Sequence, residues 1–538
     1  MWSQILLTSR RFFSDLIFRR LHLLTLFLII SSVVGLLLWR VESAIYIPSW
    51  DQSHNLIMAY EYYRSFIQGD LSLFSQTFFR TETIYPPLYH ILISLIFLVS
   101  GVSTHGGVYV NIPFMYIYGY TVYALSTLVL SKWRSVLVAS LSLCVPCVVY
   151  LSGDTLSDFI CLTIFLLSFY LLLKTNHLTE YKYSLYFGLS ILVNMLIRWT
   201  FIIPATAFIV YILISLIRTT NRVVVIKNIV LIVAITAPIY TWYIPHAKYI
   251  QEIYTFFGNP NGLAIAAWGT PKGMTPETLL YYPKVMVWMY GIGAIPTIVW
   301  IVSLLVLRKK WVPTIGYFML SIFATLIIQA YIQDKTAKYI VYIYPLMVIT
   351  SIYAIMVINN RIVRYGMHGI LIASMVGNYL LAQIQFPDIY SYHPLARYIH
   401  IPVLPGVAHM FTYENWPVER IVSENFHSSM KQSSLLVLSD HQYLNHVVFQ
   451  LHANIHALPI KTSQALLFYD PMDPKVRFED LKNYDYIFTK TSGDLGVLID
   501  KQTTLQINEH LSSEHPDWKV NEYTLPDGST GIMYKTSL

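Results

Sequence analysis

Between residue 22 and residue 384 the chain repeats one feature, an uninterrupted apolar run of roughly 17 to 25 residues, long enough as a helix to cross a hydrocarbon core about 30 Å thick. Backbone N–H and C=O groups find no water in that core, so only helices or closed barrels span it. The runs are continuous rather than alternating polar and apolar, which selects helices. Composition agrees: 55% of residues are hydrophobic and 12% charged, the latter about half the usual share. The formal charge of +7 sits in short Lys and Arg clusters between the runs, a pattern of membrane topology rather than of nucleic-acid binding.

The first run, residues 22–39, follows Arg10, Arg11, Arg19 and Arg20, and no small-residue cleavage site follows it. It reads as a retained helix with a cytoplasmic N-terminus. Residues 40–106 then lie outside as a large, aromatic-rich loop. Its segment 88–100 is apolar but short for a crossing, so it is placed along the interface. Further spans are expected near 107–130, 134–151, 157–174, 183–198, 201–217, 223–242, 283–307, 312–330, 337–357 and 368–384, about eleven in all. Every inner connection is then basic: Lys132 and Arg134, Lys174 and Lys182, Arg218 with Arg222 and Lys227, Arg308 with Lys309 and Lys310, Arg361 with Arg364. Counting 88–100 as a span would put most of these clusters outside, against the positive-inside rule.

From about residue 385 the charge density rises and Pro387, Pro394, Pro402 and Pro405 appear. The expected fold class is an all-α polytopic membrane domain over residues 1–384 and a small extracytoplasmic α/β domain over residues 385–538. In the latter, Leu435 to Leu438 and Tyr484 to Thr489 read as buried strands and Tyr443 to His452 as a helix. Val520 to Tyr534 reads as a hairpin around Asp527-Gly528.

Ionisable side chains at a membrane boundary are expensive, and four places carry them. Asp51, in Trp50-Asp51-Gln52-Ser53-His54-Asn55, follows the first run; it would also serve as the N-cap of a helix from Gln52 to Phe66. Asp154 and Asp158 lie in the polar break Ser152–Asp158, one turn apart if helical, and Asp158 would suit the first turn of a helix. Arg198 stands alone among about thirty residues without another charge, and Lys335 and Lys338 close the late outer connection. A single cation at the end of a span can merely snorkel to headgroups. Three that return to the face holding the acids suit a phosphate.

His54 and His90, both in the first outer loop, are the histidines to watch, although none of the seventeen shows ligand spacing for a metal. Cys144 and Cys147 have the spacing of a redox pair, but no His or acid accompanies them in their apolar run. No Walker loop, dinucleotide fingerprint or G-x-S-x-G elbow is present, which leaves soluble nucleotide chemistry unsupported.

The order of parts over residues 20–390 resembles bacterial protein mannosyltransferase-like and aminoarabinose transferase-like glycosyltransferases of the GT-C class. The resemblance rests on Asp51 after the first helix, Tyr85-Pro86-Pro87-Leu88-Tyr89 ending the first loop, Leu156-Ser157-Asp158 opening the fourth span, Arg198, and the segment Lys335 to Tyr339. It departs in two places: Gln52 stands where the mannosyltransferases commonly have Glu, and Ile84 and Tyr85 stand where the aminoarabinose enzymes have an acid and a lysine.

The resemblance implies a sugar donor on a polyisoprenyl phosphate, an acceptor that is a protein, lipid or glycan, and inverting displacement at the outer face of a plasma membrane. It implies Asp51 as the proton acceptor and Asp158 as a positioning acid. Arg198, Lys335 and Lys338 would lie on the lipid phosphate, with His54, Tyr85, His90 and Asp154 lining the substrate. A divalent metal ion stays open as a cofactor, without assigned ligands. The connection 243–282, with Pro260, Gly262, Gly269 and Gly273, could cover the cavity. The competing class is a multi-pass transporter or lipid flippase, which should hold its charges near the midplane rather than at outer ends. A membrane thiol oxidoreductase rests on Cys144 and Cys147 alone.

Overall fold

The computed structural model describes residues 2–43, 48–80, 83, 85–258, 280–283, 286, 295–307, 312–331, 337–383, 415–441, 443–464, 478–493, 495 and 501–536. Helix α1, Trp2–Ser43, is followed in the first loop by α2 (Trp50–Gln68), α3 (Leu71–Phe78) and α4 (Leu88–Ser100). Then come α5 (Gly106–Thr127), α6 (Lys132–Leu143), α7 (Pro146–Ser152), α8 (Asp158–Lys174) and α9 (Tyr181–Ile197). Beyond these lie α10 (Ile202–Arg218), α11 (Arg222–Thr236), α12 (Ile239–Gly258), α13 (Ile295–Leu307), α14 (Pro313–Tyr331), α15 (Tyr344–Val357) and α16 (Arg361–Gln383).

Arg20–Glu42, Trp199–Arg218, Pro313–Ala330 and Lys338–Val357 are each long and apolar enough to cross a membrane, and two bent pairs bring the number to six among the described residues. The other expected intervals fall on α5, α8, α9, α13 and α16. Helix α4 has 13 residues, a length of roughly 20 Å at about 1.5 Å per residue, short of the hydrocarbon thickness.

Two intervals expected as continuous helices are broken. Helices α6 and α7 meet at 67° and α11 and α12 at 63°. Pro146 opens α7 and Pro238 precedes α12. A proline has no N–H for the ladder; Pro146 also drives Val145 out of the helical region, to ψ 124°, whereas Ala237 before Pro238 stays helical at ψ −39°, so only the lost donor acts there. Cys144 and Cys147 flank the first bend as free thiols.

Helix α8 is apolar on all sides and buried on nearly all of them, with Phe159, Ile160, Leu162, Phe165 and Leu166 at the centre of the helical core. Outer helices instead expose apolar rows, such as Ile209, Leu213 and Ile217 on α10, the arrangement that hydrocarbon solvent favours.

In the C-terminal part, β1 (Ser433–Leu438), β2 (Ile460–Gln464), β3 (Tyr486–Lys490), β4 (Lys519–Thr524) and β5 (Thr530–Lys535) form one sheet of order β2-β1-β3-β5-β4. Strand β1 runs parallel to β2 and β3, while β5 pairs antiparallel with β3 and β4. Helices α17 (Val418–Asn425), α18 (His446–Ile455) and α19 (Lys501–Glu514) cover it. Leu435 and Val437 pack on one face with Val448 and Phe449 of α18; Leu436 and Leu438 pack on the other with Ile507 and Leu511 of α19. The hairpin turns at Gly528, whose φ of 78° glycine adopts without strain. Helix α18 lies along α2, with the Trp50 and His446 rings 5.1 Å apart and Leu451 joined to the core of the helical part.

Candidate active site

Helix α2 begins at Trp50 with Ser49 at its N-cap, so Asp51 is a first-turn acid rather than the cap. The macrodipole favours it there. Asp51 is half exposed, with Oδ2 3.8 Å from Nζ of Lys338, which stands on the 3-10 segment Ala337–Ile343. The Tyr85 hydroxyl donates to Asp51 Oδ1 at 3.5 Å, the outer limit of a hydrogen bond. The Asp51 carboxylate first, and then burial, hold the Tyr85 phenol well above its ordinary value, so it stays a donor. The ring of Tyr85 lies 5.4 Å from that of His54 and 6.3 Å from that of His90. Burial, assisted by the Arg80 charge and against the pull of Asp51, lowers His54 and keeps it neutral at pH 7.

The polar break between α7 and α8 forms the opposite wall. It is not helical between Asp154 and Asp158, so these acids do not share a helical turn. Asp158 opens α8 and forms an ion pair of 2.8 Å with Nη1 of Arg198, the acid buried and the guanidinium side chain 12% exposed. Arg198 leaves the helical conformation at the end of α9, at φ −156° and ψ 124°, which carries its side chain across to the break. Its Nη1 also donates to Ser157 Oγ at 3.1 Å and its Nε to Thr200 Oγ1 at 2.8 Å. Asp154 is 1% exposed. It accepts the Thr155 N–H at 2.7 Å and both carboxylate oxygens face Gln52 Nε2, at 3.0 and 3.2 Å. Burial pushes the Asp154 carboxyl up to about 6, although bonds from Gln52 and the charge of Lys338 pull the other way.

One turn beyond Gln52, Asn55 donates to the Thr155 carbonyl at 3.0 Å and its Oδ1 accepts from His90 Nε2 at 3.0 Å. From α5, Asn111 Nδ2 donates to the carbonyls of Ser152 and Asp154 at 3.1 and 2.9 Å. Tyr339 lies within electrostatic reach of both Tyr85 and Arg198.

Asp51, His54, Tyr85, His90, Asp154, Asp158, Arg198 and Lys338 therefore stand around one site, while Lys335 lies outside the described residues, as do residues 259–279 of the connection 243–282. Gln52, Asn55, Asn111 and Tyr339 are additions to it. Asn111, a lone amide inside a long apolar helix, was the one signal among them. Among the described residues no group of three or more His, Cys, Asp or Glu side chains could hold a metal ion.

No family model matches the sequence, and no curated protein matches it. Solved structures do. ArnT from Cupriavidus metallidurans, bound to undecaprenyl phosphate, superposes with a TM-score of 0.54 at 12% identity, over 94% of this chain and 97% of that one. Its apo form gives 0.53 over 95% and 97%, at 12% identity. The Archaeoglobus fulgidus oligosaccharyltransferase, tethered to an acceptor peptide with the NVT sequon, gives 0.54 at 12% identity, over 97% of this chain and 75% of that one. The fold is that of a GT-C glycosyltransferase. The GT-C arrangement spans the helical part and the C-terminal part together, since the ArnT superposition covers both.

Proposed function

We propose that the chain is a membrane glycosyltransferase that moves a sugar from a polyisoprenyl phosphate to an acceptor hydroxyl at the outer face of a plasma membrane. The observation that carries this reading is the pairing of acids and cations from distant elements: Asp51 beside Lys338, and Asp158 bonded to Arg198.

The acceptor oxygen attacks the anomeric carbon as its proton passes to Asp51, whose half-exposed carboxylate is reachable from the aqueous side. The bond from the anomeric carbon to the phosphate oxygen breaks on the opposite face, and its electron pair leaves with the lipid phosphate. Arg198 uses Nε and Nη1 in its protein bonds and offers Nη2 to a phosphate oxygen. Lys338, 20% exposed, adds a second cation at the same site. Cations fixed before the charge develops stabilise it without reorganising. Asp158 holds Arg198 in that orientation, and Tyr85 and His54 line the sugar side, while His90, expected there from the sequence, is buried behind them on Asn55. The donor class follows the lipid phosphate bound by the ArnT structure; the acceptor is a protein, lipid or glycan, and the bound peptide of the oligosaccharyltransferase is one precedent.

The test is transfer of labelled sugar from an endogenous polyprenyl phosphate pool by purified wild type and Asp51→Asn. The variant is expected to lose at least about 100-fold in transfer rate, the usual worth of a general base, with an unchanged thermal unfolding midpoint. Equal transfer removes Asp51 as the base, and no transfer by the wild type moves a transporter or flippase to the front.

A further inference from the structure

The amide and carboxylate that join α2 to the break are a second layer behind the reacting groups. Gln52 and Asp154 are 102 residues apart in sequence, and both oxygens of the acid lie on one amide nitrogen. The other end of that amide, Oε1, accepts from Ser49 Oγ just before the helix. A carboxylate only accepts, so the amide orientation is fixed by its partners on both sides.

Asn55 repeats the attachment one turn later, through the Thr155 carbonyl. Positions 52 and 55 lie on the same side of a helix, and the adjacent Asp51 is turned to Tyr85 and Lys338. At its far end the same break delivers Ser157 and Asp158 to Arg198. The break is itself held from α5 by Asn111.

We infer that Gln52 and Asp154 form a positioning pair, which fixes the Asp51 carboxylate at a set distance from the Asp158–Arg198 pair. The inference rests on the glycosyltransferase reading. Neither residue touches the sugar; Asp154 is closed off at 1% exposure and acts through Gln52 on the helix that carries Asp51. The amide at position 52 is the donor that joins the buried carboxylate at 154 to α2, beside the Tyr150 hydroxyl, the Thr155 N–H and the charge of Lys338 that also act on it. A glutamate there would set two acids about 3 Å apart, and like charges that close repel until the pH falls far enough for one of them to take up a proton.

The experiment is a swap in the full-length protein, with transfer measured from pH 5.5 to 8.5. Gln52→Glu is expected to lower kcat about 10- to 100-fold at pH 7.5, with the donor KM changed less than about threefold. Its activity should recover as the pH falls and the two acids come to share a proton. Asp154→Asn should lower kcat about 10-fold. The double variant Gln52→Glu with Asp154→Asn re-forms an amide–carboxylate pair with the ends exchanged, and should return kcat to within about threefold of wild type with a wild-type pH profile.

A double variant no better than the product of the two singles overturns the pairing, as does an Asp154→Asn effect confined to KM, which would make Asp154 a sugar ligand. If Gln52→Glu fails to fold, Gln52→Ala removes the amide without adding charge and should cost about 10-fold in kcat; wild-type kcat in that variant also overturns the pairing. A wild type that transfers no sugar overturns the functional reading instead.

Discussion

Asp154 is a buried carboxylate outside the expected spans whose chemistry departs from its ordinary state. Burial raises its carboxyl from 3.8 to about 6, so the native state holds a proton that the unfolded chain has already lost over that interval. Native stability from this group is complete below about pH 4 and is lost as the pH rises through about 6, a difference of roughly 3 kcal/mol at about 1.4 kcal/mol per unit. Asp154→Asn should remove that slope: thermal unfolding in detergent, compared from pH 4 to 7, should show the variant gaining on the wild type as the pH rises. A constant offset between the two would contradict the burial argument. At this scale the sequence was informative about charge and, Asn111 apart, blind to amides. Asp51, Asp154, Asp158, Arg198 and Lys338 stand out because charge in an apolar context is costly. Gln52 and Asn55 are neutral and sit at what reads as an ordinary helix start, and their partners are about a hundred positions away.

At the scale of elements, α5 approaches the break without room for a side chain. A Cβ on Gly107 would lie 2.2 Å from Thr155 Cγ2 and 2.6 Å from its Cβ and Oγ1. Gly107→Ala should therefore push Thr155 outward, loosen its bond to Asn55, and lower both the unfolding midpoint and kcat, the latter about 10-fold. Gly35→Ala is the control, since nothing lies within 4 Å of its Cβ and alanine favours a helix by about 1 kcal/mol. Equal behaviour of the two variants would show that the contact is slack. Apolar runs placed the helices well because length and hydropathy suffice to find them. They did not reveal the bends at Pro146 and Pro238, where one proline hardly changes the apolar character of a run but removes a backbone donor. Strands β1 and β3 were legible as apolar runs buried on both faces, whereas β2, Ile-Lys-Thr-Ser-Gln, has one apolar residue and owes its place to pairing with β1.

For the whole molecule, α18 ties the C-terminal part to the helix that bears Asp51. Leu451 faces the helical core while Val448 and Phe449 face the sheet, so Leu451→Asp should undock the two parts and leave the sheet folded. Hydrogen exchange read by mass spectrometry should then rise at least about tenfold in α2 and stay unchanged in β1 and β3; unchanged protection in α2 would mean that the docking contributes nothing there. That α18 is a helix was legible from its sequence; that it lies on α2 was not, because no local pattern specifies contacts of such separation. The stretch from Ser152 to Asp158 has a further consequence for how such a chain can diverge. One end holds the helix of the acid and the other the guanidinium, so an inserted or deleted residue there would change the spacing of the reacting groups at once. Drift is tolerated more readily in the first loop and the C-terminal part, while this stretch is confined to substitutions that keep its length.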